Sequence, residues 1–246
     1  MKKKILMLHT NYRQYGGEDV AVENEILLLK KKFEVKYLNF SNSDGLQVSQ
    51  INGILFNFNN DSAKKIMAEI NTFKPDLIYV HNSWYKLSLH VFEIAEKLNI
   101  PIAVKLHNFR YDCANSLHFR NEQVCHDCSI SNRTPGILNR CYENSFTKSV
   151  IVTNYSKKYF EILKKEKVKI LVLNNFHKNY LAKLGVDENK VYILPNNITT
   201  IDDSSDDLLF TKSNQFTFAG RISKEKGVEE LIQAWLNSKG PHSNYK

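Results

Sequence analysis

The stretch FAGRISKEKG, residues 218–227, sets Arg221 five positions ahead of Lys226, between two glycines and just before a helical pattern. Arginine offers a planar fork of donors and lysine a compact point charge, so the pair suits a diphosphate. Two other places carry residues of chemical interest. In YGGED, Gly16 and Gly17 follow an apolar run and precede an acidic helix start. There the backbone can approach a ligand closely and the helix end offers unpaired N–H groups. In KLHNF, His107 closes another apolar run, where an imidazole can polarise or hydrogen-bond a reacting group. His81, in YVHNS, stands in the same kind of position, so placement alone does not single out His107.

The elements that must hold these residues read as an alternation of short apolar runs and amphipathic helical patterns, the rhythm of βαβ units and a parallel sheet. Strands are expected at Lys4–His9, Phe33–Phe40, Leu77–His81, Ile102–His107, Val150–Thr153, Ile170–Leu173 and Val191–Leu194. Helices are expected at Asp19–Lys32, Ser62–Phe73, Leu87–Leu98, Ser156–Lys167 and near Asn174–Leu184. The fold class is α/β, a Rossmann-like doubly wound parallel sheet, in which ligands gather at the C-terminal ends of the strands. Residues 1–195 make this first domain. Residues 196–213, with Asp202, Asp203, Ser204, Ser205, Asp206 and Asp207, read as a linker. From 214 to 246 a second domain begins, with a strand at Gln215–Ala219 and a helix at Gly227–Leu236.

The polar stretch 108–135 breaks the rhythm, and a loop of that length is usually functional or tied down. All four cysteines, Cys113, Cys125, Cys128 and Cys141, fall within 108–141 at intervals of eleven, two and twelve residues. Cys125 and Cys128 form a CxxC pair. Two readings stand side by side: a closed structural zinc site of four thiolates, or reduced thiols with an occasional disulfide.

The chain has 246 residues, 42% of them apolar and 24% charged, an ordinary soluble composition with enough length for a substantial core. Its formal charge of +8 favours anionic partners. No apolar run approaches the roughly 20 residues of a membrane span. Four cysteines without a secretory signal point to the reducing cytoplasm.

FAGRISKEKGVEELIQAW resembles the motif of retaining, nucleotide-sugar-dependent glycosyltransferases of family 4, which have the GT-B fold of two facing Rossmann-like domains. YGGED, the LHN of KLHNF and VYILPNN agree with that family, and HNFRYDC…CHDC…RCY resembles an insertion in members that build capsular, exopolysaccharide or lipopolysaccharide glycans. The resemblance implies that Arg221 and Lys226 bind the donor diphosphate and stabilise the departing nucleotide, a hexosyl transfer with retention helped by electrostatic catalysis. It implies that His107 faces the sugar and that Gly16 and Gly17 let the first loop pack against the phosphates or the acceptor. It implies a UDP- or GDP-sugar donor, a glycan or lipid-linked acceptor, no catalytic metal and peripheral contact at the inner face of the membrane. Asn197 departs from the family by replacing a glycine after Pro-Asn.

The family's Glu-x7-Glu pair does not occur after Lys226 in the 246 residues, so the sequence reads as cut within its second domain and inactive alone. A binding half, or one chain of a split enzyme, is the competing expectation. Nucleic-acid binding is the least favoured, because the loop lacks interleaved aromatic and basic residues.

Overall fold

The runs KILMLHTN, LIYV, IAVKL and VKILV are largely apolar at both alternations, the pattern of strands covered on two faces. In the computed structural model, which describes residues 2–11, 15–41, 58–128, 132–197 and 216–237, they form the centre of a six-stranded parallel sheet. Its strands are β1 (Lys4–Asn11), β2 (Glu34–Ser41), β3 (Leu77–Val80), β4 (Ile102–Leu106), β7 (Val168–Val172) and β8 (Val191–Ile193), in the order β2-β1-β3-β4-β7-β8. Leu8 pairs with Val80, Val80 with Val104, and Leu106 with Val172.

The order runs one way from β1 to β2 and the other way from β3 onward. Right-handed crossovers then put the connecting helices on opposite faces. Helix α1 (Gly17–Lys30) covers one face, packing Val22 and Ile26 against Ile5, Met7, Tyr79 and Ala103. Helices α2 (Asn60–Phe73), α3 (His90–Lys97), α5 (Phe146–Lys164) and α6 (Asn175–Lys183) cover the other. The reversal makes the C-terminal ends of β1 and β3 the topological switch point, where open α/β sheets bind ligands.

One expectation is corrected. Val150–Thr153 is not a strand, and with the following segment it forms the single helix α5. Ser145 caps it, accepting from the Lys148 backbone N–H. Ser149, Val152, Ser156, Tyr159 and Leu163 recur at helical spacing along its buried side. Burying each large apolar side chain stabilises by about 1.5–3 kcal/mol, whereas a β-branched residue costs a helix only a few tenths of a kcal/mol. The stripe therefore overrides the local run of Val, Ile, Val and Thr.

The far edge of the sheet is fastened by a buried cation. Lys190, in the short turn before β8, is 2% exposed and donates from Nζ to the Leu163 carbonyl at 2.7 Å and the Lys165 carbonyl at 2.6 Å. It thus places its charge at the negative end of α5.

The chain divides into two compact units, Met1–His118 with His126–Thr199, and Phe119–Cys125 with Thr200–Lys246. The second contains a hairpin of β5 (Phe119–Arg120) and β6 (Gln123–Val124), turned by Asn121 and Glu122, both at positive φ as a two-residue turn requires. Helix α4 (Thr134–Leu138), in the first unit, gives the remainder of the polar stretch a regular element. The second unit also contains α7 (Val228–Asn237). Residues 216–219 do not form the expected strand; they have no pairing partner among the described residues. Residue 215, and the expected linker from 198 onward, lie outside the described residues.

Candidate functional site

Three strands end at the switch point with polar residues on the α1 side. Alternation carries Ile5, Met7 and His9 to that side on β1, Tyr79 and His81 at β3, and Ala103, Lys105 and His107 at β4. Asn82 locks the gap between β1 and β3, donating from Nδ2 to the Thr10 carbonyl at 2.8 Å and accepting the Trp84 N–H at 2.9 Å. A small cavity of about 20 Å³, room for one water-sized group, opens here among Glu18, His81, Asn82, His107, Asn108 and Arg110. A larger hollow lined by Lys2, Lys4, Lys30 and Phe33 lies at the opposite end of the strands, where no reactive groups converge.

The polar layer behind the cavity is buried and largely paired. The Lys105 ammonium donates to Glu25 Oε2 at 2.7 Å, and the Tyr79 hydroxyl donates to Glu25 Oε1 at 2.6 Å. Lys105 is fully buried and Glu25 nearly so. His9 Nε2 meets Asp19 Oδ1 at 3.0 Å, and the other oxygen of Asp19 accepts the Gly16 N–H at 2.9 Å. His81 Nδ1 meets His107 Nε2 at 3.0 Å. Burial holds His107 down to about 3, helped by the Lys105 charge. Burial likewise holds His81 well below the ordinary histidine range, with His107, His9 and Lys105 adding to it. Both imidazoles are therefore neutral near pH 7.

The structure brings some of the sequence-predicted residues together. Gly16 is the N-cap of α1 in an extended conformation, and Gly17 is its first residue. A Cβ at Gly17 would meet none of the described residues within 4 Å, so they do not demand glycine there. The next residue, Glu18, accepts from Asn108 Nδ2 at 3.5 Å, a long contact that joins the glycine loop to the strand end bearing His107. Arg110 stacks its guanidinium 4.8 Å from the Trp84 ring centre.

Arg221 and Lys226 belong to the second unit. Arg221 is largely exposed and pairs with Glu225 at 3.2 Å. Lys226 ends the turn Lys224–Lys226, which Gly227 closes at φ 66°, a left-handed conformation that favours glycine. Lys224 pairs with Glu122 of the hairpin.

None of the four cysteines is in a disulfide, and all are half-buried. Cys113 donates from Sγ to Asn115 Oδ1 at 2.9 Å within its own turn. Cys128 lies against Gly136, where a Cβ would stand 3.3 Å from its sulfur. Cys125 falls in the second unit. Among the described residues no group of three or more His, Cys, Asp or Glu side chains is arranged to hold a metal ion.

Sequence reasoning missed His9, Asp19, Glu25 and Lys105, and it treated His81 as a rival of His107. A signal was present: three otherwise apolar strands each place a basic side chain at the same alternation near their C-terminal ends. No helix among the described residues is long and apolar enough to cross a membrane. The chain matches no protein-family model and no curated protein.

Proposed function

We propose that these residues belong to a retaining glycosyltransferase of the GT-B, family-4 type, which moves a sugar from a UDP- or GDP-linked donor to a glycan or lipid-linked acceptor in cell-surface polysaccharide synthesis. The observation that carries the reading is the meeting of the Gly16-Gly17-Glu18 loop with the His107-Asn108 strand end at the switch point, in a chain that also contains GRISKEKG. In this reading Arg221 and Lys226 take the diphosphate, and the charge on the departing nucleotide grows against them as the glycosidic bond breaks. The open space over Gly17 admits phosphate or acceptor oxygens. His107, neutral and fixed from behind, hydrogen-bonds the sugar without adding charge. The acceptor lies over Asn108 and Arg110, and a net charge of +8 suits an acceptor held at an anionic membrane surface.

Residues 1–246 contain no Glu-x7-Glu after Lys226, so the proposal assigns them phosphate contact and the acceptor side, not the carboxylates that meet the sugar. A second reading is a half that binds without turning over. Calorimetric titration of the chain with UDP and with GDP tests the first point. Saturable binding to one of them, weakened at least about tenfold (~1.4 kcal/mol) by Arg221→Ala or Lys226→Ala, supports it. Binding of neither, or equal binding by the variants, overturns it. Sustained hydrolysis or transfer by the same chain would remove the second reading.

A further inference from the structure

His81 and His107 end neighbouring strands, and their rings lie nearly parallel with centres 5.3 Å apart. Their contact, Nδ1 of His81 to Nε2 of His107, is bridged by one proton, which belongs to one ring or the other. The remaining nitrogen of His81, Nε2, is buried and has no partner among the described residues. If His107 donates, that nitrogen carries an orphaned N–H. If His81 donates, it is a bare lone pair.

Two physical effects favour the second. A buried N–H without an acceptor is rarer and costlier than an acceptor left unfilled. The Lys105 ammonium, two residues before His107 on the same side of β4, repels an N–H dipole and attracts a lone pair. The geometry points to His81 as a positioning residue, whose Nδ1–H is held on His107 Nε2 so that His107 carries its own proton on Nδ1 and offers the cavity an uncharged N–H donor. That atom is suited to a ligand oxygen: a hydroxyl, a carbonyl or a phosphate oxygen.

The surroundings keep the pair in this state. His9 faces His81 from β1, its ring perpendicular at 6.2 Å, and Tyr79 faces it from β3 at 4.6 Å. From α1 come three carboxylates: Asp19 is committed to His9 and Gly16, Glu25 to Lys105 and Tyr79, and Glu18, which lines the cavity, accepts from Asn108. Burial with the nearby cation keeps both rings neutral. The same line of contacts connects the Gly16 loop, through Asp19 and His9, to the back of the cavity.

The inference concerns the cavity in the free protein, so it stands apart from the transferase reading. The test is a long-range ¹H–¹⁵N correlation spectrum of the ¹⁵N-histidine-labelled chain at pH 7, with His107 assigned by its loss in His107→Gln. The expected spectrum shows His107 as the Nδ1–H tautomer. In His81→Leu the hydrogen bond is gone and His107 shifts to the Nε2–H form that free imidazole side chains prefer. In His81→Asn, whose amide N–H stands near the lost Nδ1–H, the Nδ1–H form returns. A purely structural His81 would leave the tautomer unmoved. Wild-type His107 found as Nε2–H, an unchanged tautomer in His81→Leu, or loss of the Nδ1–H form in His81→Asn would each overturn the assignment. Should His81→Leu fail to fold, the wild-type and His81→Asn spectra still decide.

Discussion

The two faces of the sheet are built from alternate residues of the same strands, yet they differ in kind. On the side of α2, α3, α5 and α6, Leu6, Leu8, Ile78, Val80, Val104, Leu106, Ile170 and Val172 form a continuous apolar core. On the α1 side the apolar patch is short, and toward the C-terminal ends it gives way to His9, His81, Lys105 and His107 with Asp19 and Glu25 above them. The first face accounts for most of the apolar burial. The second spends buried area on paired charges and imidazoles, and it does so only where the switch point lies. The difference separates what holds the fold from what prepares the site.

The largest effect that would break this comparison comes from Lys105. Removing one partner of a buried ion pair leaves the other uncompensated, and Lys105→Met should cost about 3–5 kcal/mol by denaturant unfolding. Lys105→Met with Glu25→Leu should recover most of that loss. On the apolar face Phe160→Ala should cost a similar 3–5 kcal/mol with no charged partner able to rescue it. A Lys105→Met cost below about 1 kcal/mol would mean the polar layer is not the buried, paired array described.

Acidification acts next. His107 is held down to about 3, and His177, buried against Tyr111, to about 4, in both cases chiefly by burial. The unfolded chain takes up these protons near its ordinary histidine value of about 6.5 while the folded chain does not. Stability is therefore full above about pH 6.5 and falls as the pH drops toward the folded values, by about 1.4 kcal/mol per pH unit for each such histidine. Denaturant midpoints between pH 7 and pH 4 check this, and His107→Gln should flatten part of the slope. A midpoint flat across that range would contradict it.

A smaller effect is expected at the start of α2, on the apolar side. Asn59 accepts from the Asp61 backbone N–H at 3.0 Å, and its own amide donates to the Lys86 carbonyl at 2.8 Å. Asn59→Ala should cost about 1–2 kcal/mol, read in the same unfolding assay. The smallest change in stability sharpens the comparison most. Gly17→Ala meets no atom of the described residues within 4 Å and sits in a helix, so stability should hold or rise by under about 1 kcal/mol. Affinity for the diphosphate or the acceptor should nevertheless fall, because the methyl group occupies the space left for a ligand. Unchanged binding in Gly17→Ala would remove the glycine loop from the site.

Much of the fold is legible in the sequence because its strands are short, apolar and separated by well-capped helices; Asn174, for instance, ends one run and caps α6. The failure at Val150–Thr153 is equally instructive. Four β-branched residues look like a strand when taken alone, and only the buried stripe from Ser149 to Leu163 shows that they are helical. The site was legible in its outer residues and not in its support. Gly17, Asn108 and His107 stand at loop and strand ends, where polar residues attract attention. Glu25 and Lys105 sit inside apolar-looking segments, 80 residues apart in sequence, and nothing local announces that they meet. The tertiary pairing that makes them tolerable is also what hides them.

Lys190 has a consequence for labelling chemistry. Its amine is enclosed and spent on two carbonyls, so an amine-reactive reagent would modify the many surface lysines first and leave this one untouched. The delay before Lys190 reacts then serves as a clock, reporting how often the β8 edge detaches from the end of α5 while the rest of the molecule stays whole.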